Sequence, residues 1–215
     1  MMARVAVSVL VMLAGLLALS TVAAAENVQE WEFRVLLDNK EVGFHRYELR
    51  TSDGQRVLTS NAAFDVKFLF INAYSYRHSL TAEWQGACLQ SLRAETDANG
   101  KQRLVSGKRT GGAFIVEKKI GSDDMSAEEL SSCVMNFAYW EPSILKQNRL
   151  LNPQTGEYLD VEIEPLDDAT LKIGGKERGA RAYRFTAKDM RIDVWYSTEN
   201  DQWLALESLV KGGRV

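Results

Sequence analysis

Residues 88–119 read CLQSLRAETDANGKQRLVSGKRTGGAFIVEKK, and this stretch decides the fold. Cys88 to Thr96 has the composition of a strand, and Asp97-Ala98-Asn99-Gly100 closes it. Asn-Gly favours a two-residue hairpin, because both residues tolerate the positive φ that a type I′ turn requires. Lys101 to Lys108 then pairs back, Gly111-Gly112 turns again, and Ala113 to Lys119 makes a third antiparallel strand. Short strands joined by tight turns form a meander, and a meander of sufficient length curls.

The same pattern extends in both directions. Upstream, Tyr74, Tyr76, His78 and Leu80 share one face of a strand, while Ser75, Arg77, Ser79 and Thr81 share the other. Trp31, Phe33, Val35 and Leu37 alternate with Glu32 and Arg34, the period of two of a half-buried strand. Between these lie strands at Val42–Thr51 and Gln55–Asp65, turns at Asp38-Asn39-Lys40-Glu41 and Ser52-Asp53-Gly54, and an apolar patch at Val66–Ile71. Downstream the meander is interrupted. Ser126 to Glu129 fits a capping box, and Pro142–Leu151 is expected to be a helix with Ile144, Leu145, Asn148 and Leu151 on one face. Strands are expected again at Glu157–Glu164, Ala169–Ile173, Ala180–Thr186, Arg191–Ser197 and Trp203–Leu209. The predicted class is mainly β: a single curled antiparallel sheet, a barrel or half-barrel of about 10–11 strands, with one or two short helices. A two-sheet sandwich is the alternative.

The chain has 215 residues, with 26 basic and 29 acidic side chains and a formal charge of −3. That balance excludes a disordered tail or a multi-pass membrane protein, and it lacks the basic surplus of a general nucleic-acid binder. Residues 1–25 have the form of a cleaved signal peptide. Arg4 opens it, an apolar run from Val5 to Leu19 follows, and Ala23-Ala24-Ala25 offers a cleavage site before Glu26. No later segment is apolar enough to span a membrane, so residues 26–215 are expected to be one periplasmic, barrel-like domain. Cys88 and Cys133, an even pair in an oxidising compartment and in no C-x-x-C motif, are expected to form a disulfide.

Three stretches carry a family resemblance. They are Val35-Leu36-Leu37-Asp38 with Val42-Gly43-Phe44-His45, then Cys133 to Pro142 running on to Leu150–Gly156, and Ile192–Tyr196 with Trp203–Ser208. Together they resemble the domain-of-unknown-function family numbered 6134, exported proteobacterial proteins, itself similar to the family numbered 3108. The resemblance covers nearly the whole chain after residue 25. It implies a periplasmic β-rich protein, and it brings no catalytic residues with it. It also leads one to expect a few more strand residues after Gly213-Arg214-Val215.

Chemistry-bearing motifs are few. His45 and His78 sit in strands without metal-ligand spacing. With Asp65 or Glu95 they offer an acid/base or metal pair, against the plainer reading of hydrogen-bonded strand histidines. Ser60, Ser106 and Ser143 lack a nucleophile signature, and Gly100–Lys108 lacks the spacing of a phosphate loop. Lys101, Arg103, Lys108, Arg109, Lys118 and Lys119 offer either a basic patch or a solvated strand face. The richest material is aromatic. Tyr74, Tyr76, His78 and Trp84, with Phe137, Tyr139 and Trp140, suit either a core or the lining of a ligand cavity. The expectation is a non-enzymatic periplasmic binding protein for an apolar or amphipathic, lipid-like ligand held by these seven residues. No catalytic residue, metal or cofactor is expected. A protein-interaction module of envelope assembly is the alternative, and a carboxylate-based hydrolase the third reading.

Overall fold

The structure, a computed structural model, describes residues 26–68, 71–131, 133–210 and 213–214. The signal segment expected at 1–25 and part of the apolar patch at Val66–Ile71 lie outside the described residues. Eight strands follow one another as an antiparallel meander in sequence order. They are β1 (Asn27–Leu37), β2 (Lys40–Ser52), β3 (Gln55–Phe68), β4 (Ile71–Gln85), β5 (Cys88–Ala98), β6 (Lys101–Thr110), β7 (Ala113–Ile120) and β8 (Ser126–Leu130). The turns between them behave as the residue types require. Asn99 and Gly100 both take positive φ (56° and 83°), as do Asp38 and Asn39. This is the primed turn whose twist matches that of the flanking strands. Gly43 marks a close approach, since a Cβ there would meet the Ala63 carbonyl oxygen at 2.0 Å.

A second sheet orders β11 (Glu162–Pro165), β13 (Lys176–Ala187), β14 (Met190–Ser197), β15 (Trp203–Val210) and β16 (Gly213–Arg214), with β12 (Ala169–Ile173) also on β13. A ribbon of β9 (Arg149–Leu151) and β10 (Tyr158–Asp160) lies between the two in sequence. The architecture is mainly β with a large, curled and unclosed antiparallel sheet, as the strand pattern indicated. The strands are more numerous than expected, those of the meander run longer, the one expected at Glu157–Glu164 is split in two, and they fall into two sheets and a ribbon rather than one sheet.

Two local expectations are corrected. The helix expected over Pro142–Leu151 is a single 3-10 turn, Pro142–Lys146. At Gln147 the backbone is already extended (ψ 147°), and Arg149–Leu151 pairs with β10. Leu150 and Leu151 are both fully buried although neighbours in a strand point opposite ways, so this segment runs through the interior with core on both sides. The capping box at Ser126–Glu129 is strand β8. Pairing with β7 overrides the local helical signal, and Lys118 reaches Glu128 diagonally across the pair.

The core forms where the segment 134–151 enters the mouth of the coiled sheet. Val134, Met135, Ala138, Tyr139, Trp140 and Ile144 pack against Leu58, Ala82, Trp84, Leu89 and Leu92 of the meander. Phe185, Val194, Tyr196 and Trp203 close over them from the second sheet. Backbone bonds fix the segment: Leu89 N–H donates to the Val134 carbonyl (2.9 Å), and Leu151 N–H to that of Met135 (2.8 Å). The disulfide Cys88–Cys133 ties its start to β5, with Cα atoms 4.9 Å apart. Glu141 caps the 3-10 turn through the Ser143 N–H (3.1 Å) and accepts a charge-assisted bond from Arg56 of β3.

Because Ile144 is fully buried and Leu145 only half-buried, Ile144→Ala lowers stability by about 2–5 kcal/mol, and Leu145→Ala by clearly less. Urea unfolding of the two variants checks this, and the reverse order contradicts the packing. The bridge closes a separation of 45 residues. Cys88→Ser with Cys133→Ser therefore costs about 4 kcal/mol on the chain-entropy account, read in the same urea titration.

Candidate functional site

Strict alternation gives the meander an inner face, and its register lays that face out in rows. One row runs Phe33, His45, Ala62, His78, Thr96 and Arg103 across β1 to β6. The next, nearer the turns at 38–39 and 99–100, runs Gly43, Phe64, Tyr76, Ala98 and Lys101. On the core side of the first, Tyr47 lies opposite Ser60. Towards the core the rows become aliphatic, so the inner face divides into an apolar end and a polar-aromatic end.

At the polar-aromatic end the side chains are paired. His45 Nε2 lies 2.7 Å from the Ser60 hydroxyl, and its Nδ1 lies 3.1 Å from the Tyr47 hydroxyl. His78 Nδ1 lies 2.8 Å from the Thr96 hydroxyl. Burial, aided by the neighbouring His78, lowers the His45 pKa to about 3. Burial lowers that of His78 to about 4, against a backbone hydrogen bond at Glu95. Both rings are neutral at neutral pH. The phenols of Tyr47 and Tyr76 are pushed up by burial and carry no charge either. The Ser60–His45–Tyr47 arrangement has the connectivity of a nucleophile, base and orienting group. However, Ser60 is 1% exposed, and an imidazole with a pKa near 3 is too weak to take its proton. These three residues form a satisfied polar layer.

Aromatic rings flank that layer. Phe64 stacks on Tyr76 with centroids 4.6 Å apart and stands 6.2 Å from Tyr74, while Tyr76 stands 6.2 Å from His78. Arg103 lies within electrostatic reach of the Tyr76 phenol. Among the described residues no salt bridge engages Arg103, and with both imidazoles neutral the only other cation of these two rows is Lys101.

The structure divides the seven aromatic and histidine positions singled out in the sequence. Tyr74, Tyr76 and His78 belong to the polar-aromatic end. Trp84 is at the other end of the same strand, about 33 Å from Tyr74 at strand rise. It meets Trp140 edge-to-face at 5.7 Å, and Arg56 lies 4.8 Å over the Trp140 ring. Tyr139 packs on Phe185 and Trp203, and half-buried Phe137 stands 6.1 Å from Tyr139. A portal shared by Tyr74, Tyr76 and Trp140 is therefore not formed, because the packed core separates them. Alternation likewise splits the expected basic patch: Arg103, Arg109 and Lys118 take the inner-face register, Lys108 and Lys119 the outer. His45 and His78 face no carboxylate partner in their rows. Tyr47, Phe64 and Thr96 were not singled out in the sequence; parity with His45 along β2 was a signal for Tyr47, whereas Phe64 and Thr96 lie on other strands and are placed only by register.

The chain matches the model of "Domain of unknown function (DUF6134)" over residues 33–215. The chain belongs to the DUF6134 family. No curated protein matches it. Among solved structures, the DUF6134 chain is similar to the crystal structure of a beta-barrel-like protein of domain of unknown function DUF1849 from Brucella abortus. The TM-score is 0.57 at 10% identity, covering 88% of this chain and 92% of that one. At that identity the likeness concerns the fold alone.

The two histidines make acid stability a test of the site. Their folded pKa values lie below the unfolded value near 6.5, so the unfolded chain takes up protons first and stability is lost as pH falls below 6.5. Between pH 6.5 and 5, above the carboxylate range, the loss reaches about 1.4 kcal/mol per pH unit per histidine. Thermal melts across this interval show a falling Tm, and His45→Gln with His78→Gln flattens it. A flat wild-type profile contradicts the burial of both rings.

Proposed function

We propose that this protein is an exported, non-enzymatic binding module that holds an anionic amphipathic, lipid-like ligand against the polar-aromatic end of its inner face. The observation that carries this is the half-buried Arg103, without a salt bridge among the described residues, beside the stacked Phe64–Tyr76 pair and the Tyr74 ring. The aromatic rings offer apolar area with polar tips, and Arg103 and Lys101 offer a counter-charge for a carboxylate or phosphate head. Neutral His45, His78, Ser60 and Thr96 present no competing anion. Trp84, Phe137, Tyr139 and Trp140 belong to the packed core beyond this end and hold the sheet rather than the ligand. Export to the periplasm accords with the segment 1–25, the disulfide, and a chain in which no described helix is long and apolar enough to cross a membrane. The interaction-module reading has one specific support: Val28 and Leu36, exposed apolar residues on the edge strand β1 of an unclosed sheet.

Titration with a dansylated undecanoic acid tests the proposal. Tyr76→Ala and Arg103→Gln lower affinity about tenfold, near 1.4 kcal/mol, while Arg103→Lys retains most of it. Trp140→Ala costs roughly 3–5 kcal/mol of stability and leaves the affinity of the folded fraction unchanged. Absence of binding to the wild type, or loss through Trp140→Ala alone, counts against the proposal.

A further inference from the structure

The outer face of the same strands carries a different arrangement. Asn61, Ser79, Glu95 and Leu104 form one row across β3 to β6. Phe44, Ala63, Arg77, Asp97 and Gln102 form the next across β2 to β6. These rows line a groove of about 440 Å³, to which Ala62, His78, Thr96 and Arg103 of the inner-face row also contribute. From β2 to β6 it crosses four strand spacings, roughly 19 Å. Beyond Glu95 and Leu104 it continues into a smaller hollow of about 90 Å³ at Met125. Leu104 is 41% and Met125 56% exposed.

The charges lining the groove balance, Arg77 and Arg103 against Glu95 and Asp97, and three of these side chains are held in place. Arg77 is held by Asp65 (2.8 Å) and by the Tyr76 carbonyl (2.8 Å). Glu95 accepts from Arg93 (2.9 Å), and Asp97 from the Gly100 N–H (2.7 Å). By contrast, the side chains of Asn61, Ser79 and Gln102 make no hydrogen bond among the described residues. The groove thus offers little net charge to an ion. What it offers is closely spaced donors and acceptors in mixed order: two primary amides, a hydroxyl and two oriented carboxylates. A hydroxyl both donates and accepts, so a polyhydroxylated ligand satisfies such a set, whereas a simple anion or a hydrocarbon does not. Phe44 and Leu104 at the margins suit the C–H faces of sugar rings.

We propose that this outer groove binds a neutral saccharide chain, lying across the strands with its hydroxyls on Asn61, Ser79 and Gln102. The proposal is independent of the inner-face reading, because Asn61, Ser79 and Gln102 stand on the face opposite Phe64, Tyr74 and Tyr76.

The experiment is an NMR titration of the isotopically labelled exported protein with cellotetraose and with maltotetraose. The side-chain amide resonances of Asn61 and Gln102 shift, with a Kd of about 1 mM, and the dansylated undecanoic acid does not displace the sugar. Asn61→Ala with Gln102→Ala weakens binding at least tenfold without changing fatty-acid uptake. Ser79→Phe, which fills the groove, does so independently if the double variant is poorly folded. A parallel arm uses phosphatidylcholine vesicles carrying a digalactosyl lipid. Binding there alone assigns the groove to glycolipid headgroups, and binding of the soluble tetrasaccharides assigns it to free chains. No shift up to about 20 mM with no vesicle binding overturns the proposal, as do shifts that persist in both variants or that map to the inner face.

Discussion

The ion pair between Arg56 and Glu141 is the constraint on which the enclosure depends. Arg56 points inward from β3, where a charge has no business unless something meets it. Glu141 meets it from a segment 85 residues later, and Arg56 also reaches the Gly86 carbonyl and covers the Trp140 ring. Burial pushes the Glu141 carboxyl up, but the bonds from Arg56 and Ser143 outweigh that and hold it below its usual value. The pair gives the segment 134–151 a single seat. With the disulfide at one end of that segment and the β9–β10 ribbon at the other, Ile144, Trp140 and Tyr139 are aimed into the core. Such a pair is weak evidence for net stability, because desolvation offsets the attraction. Its use here is positional: a sheet that does not close on itself needs a filler in one register only.

That filler explains why the inner face is not uniform. The eight-stranded sheet does not close on itself, so its own side chains do not complete a core. At one end the inserted segment and the second sheet complete the core, so the rows there are mainly apolar, with Arg56 met by Glu141. At the other end the rows change to His45, Ser60, His78 and Thr96, each polar group meeting another across one strand spacing or within one strand. Buried polar groups are tolerated when paired, and these rings are kept neutral by the burial that requires the pairing. The change in character along each strand is therefore a property of the assembly, although each strand keeps the same alternation.

Much of this fold was legible in the sequence, and the legible part is local. Asn99-Gly100 fixes its turn through its own φ angles, and Trp31–Leu37 and Tyr74–Leu80 reveal their faces by period two. The misread elements are those where distant partners decide. Pro142–Leu151 has helical spacing, but Leu150 and Leu151 are drawn into an extended path by β10 and by core on both sides. Ser126–Glu129 has a capping pattern, yet an unpaired edge at β7 recruits it as β8. The candidate site was half legible for the same reason. Parity put Tyr74, Tyr76 and His78 together because they share a strand, but it could not say that Trp140 lies at the far end. Nor could it say that Ser60 meets His45, since both facts depend on which strand neighbours which.

Register also determines what the two faces can do. A row on the inner face and the row of opposite parity beside it are built from the same strands, so His78 and Ser79 are adjacent in sequence yet face different environments. The inner environment is enclosed, and there a polar atom needs a partner from the protein. On the outer face water can supply that partner, so Asn61, Ser79 and Gln102 remain unpaired at little cost. A ligand that binds inside must therefore bring apolar area and place its charge near Arg103. One that binds outside must replace water on hydroxyl-matched groups, contact by contact. The same pleat that separates core from solvent thus separates two kinds of recognition, and a one-residue slip of β4 would exchange Tyr76 and His78 for Arg77 and Ser79 and lose both.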